Sequence, residues 1–542
     1  MSGAIFSVPT PINEPVLTYA PGTPERKEIK SELKCQASIK VDIPIVIGGK
    51  EIHTSTKGFC VMPHDHKHVL AEFSIAGEKE LKDAVNAAIA VKDEWYSLSW
   101  EHRASIFLKA ADMIAGPWRQ RLNAATMLGQ SKTVYQAEID SACELADFLR
   151  FNVHYAQEIY KNQPISPPSV WNRMEYRPLD GFVMAISPFN FTAIGGNLAT
   201  APAIMGNTVV WKPASTAVLS NYMIYQILKE AGLPDGVINF VPCKGTDVSE
   251  YVLKDIRMAG FHFTGSTRVF SNAWRLVGEN IRAYENYPRL VGETGGKDFI
   301  FAHNSTRICP LITAMIRGAF EYQGQKCSAA SRVYIPESIW PTVKERLLEE
   351  IKSIKTGDVQ DFRNFMGAVI DEVSYNSIKS YIDFAKGSND AEVLCGGYDN
   401  SVGWFIYPTV ILAKTPDFKT LKEEIFGPVL TIFVYPDDEF EETMASCHEV
   451  SPYALTGAIF AQDRKILAKM ERELSDTAGN FYINDKPTGA VVGQQPFGGG
   501  RASGTNDKAG SILNLLRWTS PRAIKETFLP PDVVSYPFMD AE

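Results

Sequence analysis

The chain has 542 residues, 45% of them hydrophobic and 22% charged, a composition that excludes general disorder and fibrous repeats and allows sizeable cores. Its formal net charge of −9 leaves no basic field to recruit nucleic acid or anionic lipid. The eight cysteines include no C-x-x-C pair, which predicts a reducing compartment and no thiolate zinc site. We expect small-molecule and self-association partners, and no nucleic acid.

The N-terminal part begins with a segment, residues 1–40, that is rich in Pro, Thr, Ser and Lys and shows no sustained periodicity. We predict that it is a surface arm. The first basic residue is Arg26, so we expect a targeting peptide to be absent or already removed. From Leu81 to Trp95 the apolar positions have amphipathic helical spacing, and helical patterns continue to about residue 160. The Pro-rich stretch 163–170 predicts an excursion from the core.

Short apolar runs then alternate with helical stretches, which predicts a parallel sheet covered on both faces. The runs are Phe182–Ile186, Thr208–Trp211, Val237–Val241, Phe261–Phe263 and Phe299–Ala302. A second α/β series follows, with a helix near Leu311–Tyr322 and strands near Arg332–Ile335, Val429–Tyr435, Gly457–Phe460 and Asn480–Ile483. The stretch 181–211 is free of charge, but its asparagines and prolines argue against membrane insertion.

Cys327 is the candidate nucleophile. It follows a helical pattern and is flanked by Gly324, Lys326 and small residues that leave its sulfur accessible. Nearby donors or a lysine would favour the reactive thiolate. Taken alone, however, a cysteine is more often buried filler than a nucleophile, so the assignment depends on the residues around it.

Two further residues follow predicted strands, the positions where α/β proteins place their functional side chains. Glu293 precedes a glycine pair and could deprotonate a water if burial raises its pKa. Asn190 could donate a hydrogen bond to an oxyanion. Taken alone, each is better explained as a turn residue. His64, His66 and His68 alternate along one face, but no carboxylate or cysteine cluster accompanies them, so we expect no metal site.

Seven motifs occur along the chain in the order found in aldehyde dehydrogenases, and the chain resembles that family from about residue 40 to 525. They are Ser187-Pro-Phe-Asn-Phe191, Trp211-Lys-Pro213, Phe263-Thr-Gly-Ser266, Gly292-Glu-Thr-Gly-Gly-Lys297, Gly324-Gln-Lys-Cys327, Glu423-Glu-Ile-Phe-Gly-Pro428 and Pro496-Phe-Gly-Gly499. The resemblance implies attack of Cys327 on an aldehyde, oxyanion stabilisation by Asn190 and the Cys327 N–H, hydride transfer to NAD, and thioester hydrolysis by a water that Glu293 deprotonates.

The same resemblance implies binding residues. The cofactor would contact Ser187, Lys212, Gly265, Ser266, Thr267, Arg268, Val269, Glu424 and Phe426. The aldehyde would contact Phe191, Lys326, Ser328 and Phe497, and its far end would meet the loop at Gly489 and Ala490. Many NAD-preferring relatives carry an acid where this chain has Ser215, and some relatives have serine at position 490.

Three stretches, 189–196, 320–331 and 480–499, resemble the family members that oxidise glutamate γ-semialdehyde to glutamate in proline degradation. Asn13-Glu-Pro-Val-Leu17 resembles the start of their mature mitochondrial forms. The resemblance therefore implies a location in the mitochondrial matrix and a homodimer. Succinate or methylmalonate semialdehyde remains an alternative substrate.

The implied fold class is α/β, with a Rossmann-type NAD-binding domain, an α/β catalytic domain and a small β oligomerisation flap. The domains would be an arm over 1–40, the NAD-binding domain over 41–291 with an excursion at about 165–180, the catalytic domain over 292–505 and an oligomerisation segment over 506–542. Two other hypotheses stay open: a non-catalytic descendant of the family, and a cysteine acyl hydrolase whose histidine base would have to be brought close by folding.

Overall fold

The structure is a computed structural model that describes residues 4–541. It begins with one helix and five short strands: α1 (Pro24–Ala37), β1 (Val41–Ile43), β2 (Ile45–Ile47), β3 (Lys50–Ile52), β4 (Lys57–Met62) and β5 (Asp65–Ser74). Six helices follow, with a π-helical segment, Glu138–Glu144, before the last of them: α2 (Glu78–Ala90), α3 (Lys92–Ser97), α4 (Trp100–Ala115), α5 (Arg119–Gln130), α6 (Val134–Ala137) and α7 (Leu145–Lys161).

Two further groups of strands and helices follow, up to residue 527. The first group is β6 (Val170–Arg177), β7 (Phe182–Ile186), α8 (Thr192–Ile204), β8 (Thr208–Lys212), α9 (Val218–Ala231), β9 (Ile238–Phe240), α10 (Gly245–Tyr251), β10 (Met258–Thr264), α11 (Thr267–Glu279) and β11 (Arg289–Glu293). The second is β12 (Asp298–Ala302), α12 (Ile308–Phe320), β13 (Ala330–Pro336), α13 (Trp340–Ser353), α14 (Glu372–Lys386), β14 (Ala391–Asp399), β15 (Phe405–Ala413), α15 (Lys419–Lys422), β16 (Val429–Tyr435), α16 (Phe440–Glu449), β17 (Tyr453–Ala454), β18 (Thr456–Phe460), α17 (Arg464–Glu473), β19 (Asn480–Ile483), β20 (Gly500–Arg501), α18 (Ile512–Leu516) and β21 (Ser520–Thr527).

The first seven-stranded sheet has the strand order β11-β10-β7-β8-β9-β2-β3. The first five of these strands are parallel, which confirms the prediction for the four apolar runs in β7, β8, β9 and β10, and β11 adds a fifth strand outside those runs. Strands β2 and β3 continue the sheet in antiparallel pairing. Parallel strands end at the same edge of a sheet, and α/β proteins bind ligands at that edge. The loops after β7, β8, β10 and β11 therefore lie side by side.

The second seven-stranded sheet has the order β14-β15-β16-β13-β12-β18-β19 and is parallel except for the edge strand β14. Phe299–Ala302, which the sequence grouped with the first series, lies in this sheet as part of β12. An apolar run indicates a buried strand but does not tell which sheet the strand joins, because pairing depends on the path of the chain.

The N-terminal segment contains a helix that the sequence did not predict. Within α1, only Ile29 and Leu33 are buried, and the rest of the helix is mostly charged or polar. One pair of apolar residues four positions apart is too short a pattern to stand out. Tyr19, before the helix, is also buried, with its hydroxyl donating to Glu138 at 2.7 Å, so this segment is tied to the core at several points.

Strands β6 and β21 form a separate two-stranded antiparallel sheet. Their pairing runs from Arg177 opposite Ser520 to Val170 opposite Thr527. The excursion predicted at 165–180 and the C-terminal segment are thus brought together.

Among the helices of residues 4–541, none is both long enough and apolar enough to cross a bilayer.

Candidate active site

A cavity of about 810 Å³ lies beside the end of β11. Its wall includes Cys327 and Glu293, which are 34 positions apart in the sequence and are brought together by the fold. All six residues predicted to contact the aldehyde also line it: Phe191, Lys326, Ser328, Gly489, Ala490 and Phe497. The candidate nucleophile, the candidate base and the candidate substrate contacts therefore share one enclosed space.

Cys327 lies in the turn that joins α12 to β13, after a strained stretch of backbone. Tyr322 and Gln323 have φ angles of +50° and +55°, in the left-handed region that non-glycine residues rarely adopt. The Gln323 amide holds this stretch, since its Nε2 donates to the carbonyls of Ser131 at 2.9 Å and Ala368 at 2.7 Å. The position of the thiol is thus determined by distant segments of the chain.

The Cys327 side chain is nearly buried, with 9% of the residue exposed. Burial raises the pKa of its thiol well above the ordinary value, and the nearby carboxylates of Glu293, Asp298 and Glu424 raise it further. The thiol is therefore protonated at rest. Gly296 allows the glycine-rich turn to pass close by, because a Cβ at that position would lie 2.1 Å from the Cys327 carbonyl oxygen.

Glu293 is the last residue of β11. Its carbonyl oxygen accepts a hydrogen bond from the Gly265 N–H at 3.1 Å, while its carboxylate Oε1 is buried without a hydrogen-bond partner. Burial raises the pKa of Glu293 to about 8; Lys508 opposes this shift and Asp507 adds to it. A carboxyl group with that pKa can exchange a proton near neutral pH, as a general base must.

Asn190 does not line the cavity but lies against the turn that carries Cys327. Its Nδ2 donates to the carbonyl oxygen of Gln325 at 3.0 Å. A carboxamide has two N–H groups, so one remains for another acceptor. The structure thus places this amide beside the nucleophile, with half of its donor capacity engaged in holding the turn.

The predicted substrate contacts are themselves tied to one another. The Lys326 Nζ lies 3.3 Å from the Glu321 carboxylate, and burial lowers the pKa of this lysine while Glu321 opposes the shift. The hydroxyl of Ser328 lies 2.8 Å from that of Thr488, which links the nucleophile's turn to the loop at the far end. Gly489 in that loop has a φ of +95°, so glycine is the residue suited to it.

The residues predicted to contact the cofactor lie at the carboxyl ends of the first sheet's strands. Ser187 follows β7, Lys212 ends β8 and Gly265 follows β10. The Lys212 ammonium has the Pro213 carbonyl as a partner at 3.2 Å, and burial lowers the pKa of this lysine. The Ser187 hydroxyl accepts a hydrogen bond from the Trp211 indole at 2.5 Å, so in this structure it is engaged inside the protein.

The N-terminus of α11 presents the next predicted group, Ser266, Thr267, Arg268 and Val269. The Ser266 side chain caps this helix of 13 residues by accepting a hydrogen bond from the Val269 N–H at 3.4 Å. Arg268 and Val269 are exposed in the first turn. A helix N-terminus carries partial positive charge and unsatisfied N–H groups, which suit a pyrophosphate.

Glu424 and Phe426 lie on the other side of the glycine-rich turn. Glu424 Oε1 accepts a hydrogen bond from the Gly296 N–H at 2.9 Å. Phe426 has a φ of +58° and packs edge-to-face against Phe189, with ring centroids 5.8 Å apart. These contacts bring Glu424 to the same turn as Glu293.

Comparison with known proteins agrees with this geometry. The family model described as "Aldehyde dehydrogenase family" matches residues 52–524. The chain belongs to the aldehyde dehydrogenase family. It is 56% identical to the delta-1-pyrroline-5-carboxylate dehydrogenase of Dictyostelium discoideum, over 98% of this chain and 96% of that protein. It is 50% identical to the human enzyme of the same name, over 97% of this chain and 94% of the human protein. A Mycobacterium tuberculosis delta-pyrroline-5-carboxylate dehydrogenase, solved with NAD, is similar with a TM-score of 0.97 and 52% identity over the whole of both chains.

This aldehyde dehydrogenase also contains a buried ion pair that sequence reasoning missed. Lys132 and Asp140 lie 2.7 Å apart, and both are almost fully buried. The Asp140 carboxylate accepts the N–H of Thr192, the first residue of α8, while the Lys132 ammonium lies 4.1 Å from the ring centre of Phe191 and 4.4 Å from that of Tyr322. The pair therefore fixes one predicted substrate contact and the turn before Cys327. In the sequence both residues look like ordinary helix-surface charges.

His262 is the residue that bears on the acyl hydrolase hypothesis, because the fold brings it to the cavity wall. Its Nδ1 lies 3.0 Å from the Leu198 carbonyl oxygen, and its ring packs against Trp518. Burial lowers the pKa of His262 to about 3. An imidazole with that pKa is a poor base near neutral pH, so His262 is poorly suited to the role of the histidine base.

Proposed function

We propose that this protein oxidises L-glutamate γ-semialdehyde, the open form of delta-1-pyrroline-5-carboxylate, to L-glutamate with NAD, the second step of proline degradation. The observation that carries this proposal is the single cavity containing Cys327, Glu293 and the Thr488–Ala490 loop. The relatives at 50% and 56% identity over nearly the whole chain are named delta-1-pyrroline-5-carboxylate dehydrogenases, which supports the same substrate.

The chemistry assigns one task to each residue. The Cys327 thiol releases its proton to solvent water, because the thiolate is the nucleophile, and the sulfur then adds to the aldehyde carbon. The Cys327 backbone N–H and the second N–H of Asn190 donate to the resulting oxyanion, and one such donor lowers the barrier by about 3 kcal/mol. Bound NAD supplies the acceptor for the hydride that leaves this carbon. Glu293 then takes a proton from the water that hydrolyses the thioester, releasing glutamate and the thiol.

The predicted cofactor residues suit a dinucleotide. Lys212 offers a half-buried ammonium whose hydrogen-bond partner is the Pro213 carbonyl oxygen, and the exposed first turn of α11 offers unsatisfied N–H groups. Gly265 lets the backbone before that turn lie close to the Phe263 ring, since a Cβ at this position would be 2.7 Å from the ring. Glu424 keeps one carboxylate oxygen beyond its bond to Gly296, and a ribose hydroxyl is a suitable donor to it.

The loop end of the cavity suits the amino-acid end of the substrate. Gly489 and Ala490 offer backbone N–H groups that can bind an α-carboxylate, and Ser328 with Thr488 adds hydroxyls beside them. Lys326, paired with Glu321, contributes positive charge between the two ends. The loop therefore favours an aldehyde that carries a carboxylate over a plain alkyl aldehyde.

We also propose that the protein is a homodimer joined through the β6–β21 sheet and works in the mitochondrial matrix. The sheet and the tail after it expose large apolar side chains, including Trp171, Leu529 and Phe538, which are 50%, 76% and 82% exposed. Exposed apolar patches of this kind mark association surfaces. The relatives from Dictyostelium and human are named as mitochondrial proteins. Deleting residues after 520 should give a monomer by light scattering, and organelle fractionation tests the location.

The substrate proposal is tested by NADH absorbance with pyrroline-5-carboxylate, succinic semialdehyde and methylmalonate semialdehyde in parallel, with NADP replacing NAD in a further set. We expect the highest kcat/KM with pyrroline-5-carboxylate and NAD, and no NADH from the Cys327→Ala variant. A higher kcat/KM with another semialdehyde would overturn the substrate. NADH formation by Cys327→Ala at the unmodified rate would overturn the mechanism.

A further inference from the structure

The segment Asn13–Val16 has no regular secondary structure, yet Asn13, Glu14 and Val16 line the wall of the active-site cavity. These residues precede the part of the chain that the family model matches. The fold brings them against the loop predicted to bind the amino-acid end of the substrate, roughly 480 positions later in the sequence.

The Asn13 carboxamide connects two elements of the cavity wall. Its Nδ2 donates to Asp147 Oδ2 on α7 at 2.8 Å and to the carbonyl oxygen of Val492 at 2.8 Å. Its Oδ1 accepts a hydrogen bond from Gln494 Nε2 at 3.0 Å. Both N–H groups and the oxygen of this amide are thus engaged: two of the three hydrogen bonds go to the loop and one goes to the helix. Only a carboxamide offers two donors and an acceptor in so small a side chain.

Glu14 fixes this segment to the helical side of the cavity. Its carboxylate accepts from Arg119 and Arg150 at 2.7 Å each, and its N–H donates to Asp147 Oδ1 at 2.7 Å. Burial would raise the pKa of Glu14, but the guanidinium groups of Arg150 and Arg119 hold this pKa below its ordinary value. Asn13 is therefore attached to a rigid base and can act as a tether for whatever it binds on its other side.

The loop on that other side needs such a tether. Most of its other hydrogen bonds near Val492 are internal: the Gln495 side chain accepts from the Val491 N–H at 3.0 Å, and the Gln494 N–H donates to the Val491 carbonyl at 3.0 Å. Val492 is buried in the same hydrophobic cluster as Phe148 of α7, but those internal bonds give the loop no directional contact to that helix. The bonds to Asn13 connect it to the opposite wall of the cavity.

We propose that Asn13, supported by Glu14, is a positioning residue for substrate specificity: it ties the Thr488–Val492 loop to α7 so that the loop's N–H groups meet the carboxylate end of the substrate. This inference rests on the proposed function for the identity of the substrate, but the tether itself does not. Because Asn13 acts at the loop and not at Cys327, its loss should weaken binding of the amino-acid end and leave the chemical step intact.

The kinetic test compares Asn13→Ala with Gln157→Ala in the full chain. Gln157 Oε1 accepts the Val8 N–H at 2.6 Å, so Gln157→Ala also removes an attachment of the N-terminal segment, but away from the loop. We expect Asn13→Ala to raise the KM for pyrroline-5-carboxylate about tenfold, with kcat within about twofold, because two loop hydrogen bonds are lost. Butanal, which lacks the amino-acid end, should show no such change in kcat/KM. An equal rise in KM in Gln157→Ala, or a fall in kcat with both aldehydes, would overturn the proposal.

A second measurement does not depend on the substrate. Amide hydrogen exchange in peptides covering residues 488–495 should become faster in Asn13→Ala and stay unchanged in Gln157→Ala. Unchanged exchange in Asn13→Ala would overturn the tether, whatever the kinetics. If the unmodified protein oxidises another aldehyde but the exchange result holds, the proposed substrate fails while the tether stands.

Discussion

The two ends of the cavity are built differently. At the reacting end, Glu293 Oε1 is buried without a hydrogen-bond partner and the Cys327 thiol is kept protonated by burial and by neighbouring carboxylates. At the loop end, Ser328 pairs with Thr488, and Asn13 spans from α7 to Val492. One end thus keeps a catalytic carboxyl group unpaired, and at the other end paired side chains hold the loop in place.

This difference matches what each end has to do. Groups that act in the transition state gain most when their partner appears only during the reaction, so a carboxyl group that is unpaired at rest is useful there. Groups that recognise a substrate gain most when they are already in place, because less ordering is required on binding. Changes at the reacting end should therefore lower kcat, and changes at the loop end should raise KM.

The largest expected effect comes from Glu293→Gln, which keeps the shape of the side chain but removes its basicity. Thioester hydrolysis should slow about 1000-fold, since general bases contribute between about 100-fold and 10,000-fold. Hydride transfer precedes this step, so stopped-flow absorbance should show one burst of NADH per active site followed by very slow turnover. The absence of a burst together with lost activity would mean that Glu293 is required before the thioester forms.

A somewhat smaller effect is expected for Asn190→Ala, which removes a donor to the oxyanion. We expect kcat to fall about 100-fold, the lower end of the range for one oxyanion donor. Asn152→Ala is the matched control, since the Asn152 amide is also buried but pairs with Asn197 at 2.9 Å. Similar losses of kcat in both variants, with lowered thermal stability, would assign Asn190 a structural role through its bond to Gln325.

The pKa of Glu293 predicts a pH dependence of the same step. With a pKa of about 8, the basic carboxylate form falls about tenfold for each pH unit below that value, so turnover should rise up to about pH 8 and then level off. Lys508 and Asp507 face this carboxyl group. Because Lys508 lowers its pKa and Asp507 raises it, Lys508→Met should move the midpoint of the steady-state kcat profile to higher pH and Asp507→Asn to lower pH. Shifts in the opposite directions would contradict the assignment.

Much of the fold could be predicted from the sequence wherever strands are buried on both faces. The run Phe182–Ile186 is β7 residue for residue, and Val429–Tyr435 is β16. The half-exposed strand β14 was missed, and β21 was expected only through the resemblance, as part of a β oligomerisation flap, because a strand at an edge carries no continuous apolar run. The helix expected from Leu81 to Trp95 is two helices that meet at Val91, since an apolar spacing can continue across a change of direction.

The candidate site divides in the same way. Cys327 and Glu293 could be predicted because each lies in a short motif, whereas the loop at Gly489 was implied only by the family resemblance. Lys132, whose ammonium lies over the Phe191 ring, could not, because its significance comes from contacts with residues far away in the sequence. Asn13 was noticed only as part of a resemblance, and its bond to Val492 becomes visible only in the folded chain.

The smallest expected effect, at the loop end, comes from Ala490→Ser. Ala490 is half-buried on the cavity wall beside Gly489, so a hydroxyl there can donate to the carboxylate of the substrate. One added hydrogen bond in a partly solvated site should lower the KM for pyrroline-5-carboxylate about threefold and leave kcat unchanged. Ala490→Cys adds a side chain of similar size with a much weaker donor, so it separates hydrogen bonding from volume. If serine and cysteine change KM alike, the loop recognises its substrate by shape. If only serine lowers KM, the loop end binds the substrate through hydrogen bonds, and the unpaired groups at the reacting end serve the chemistry alone.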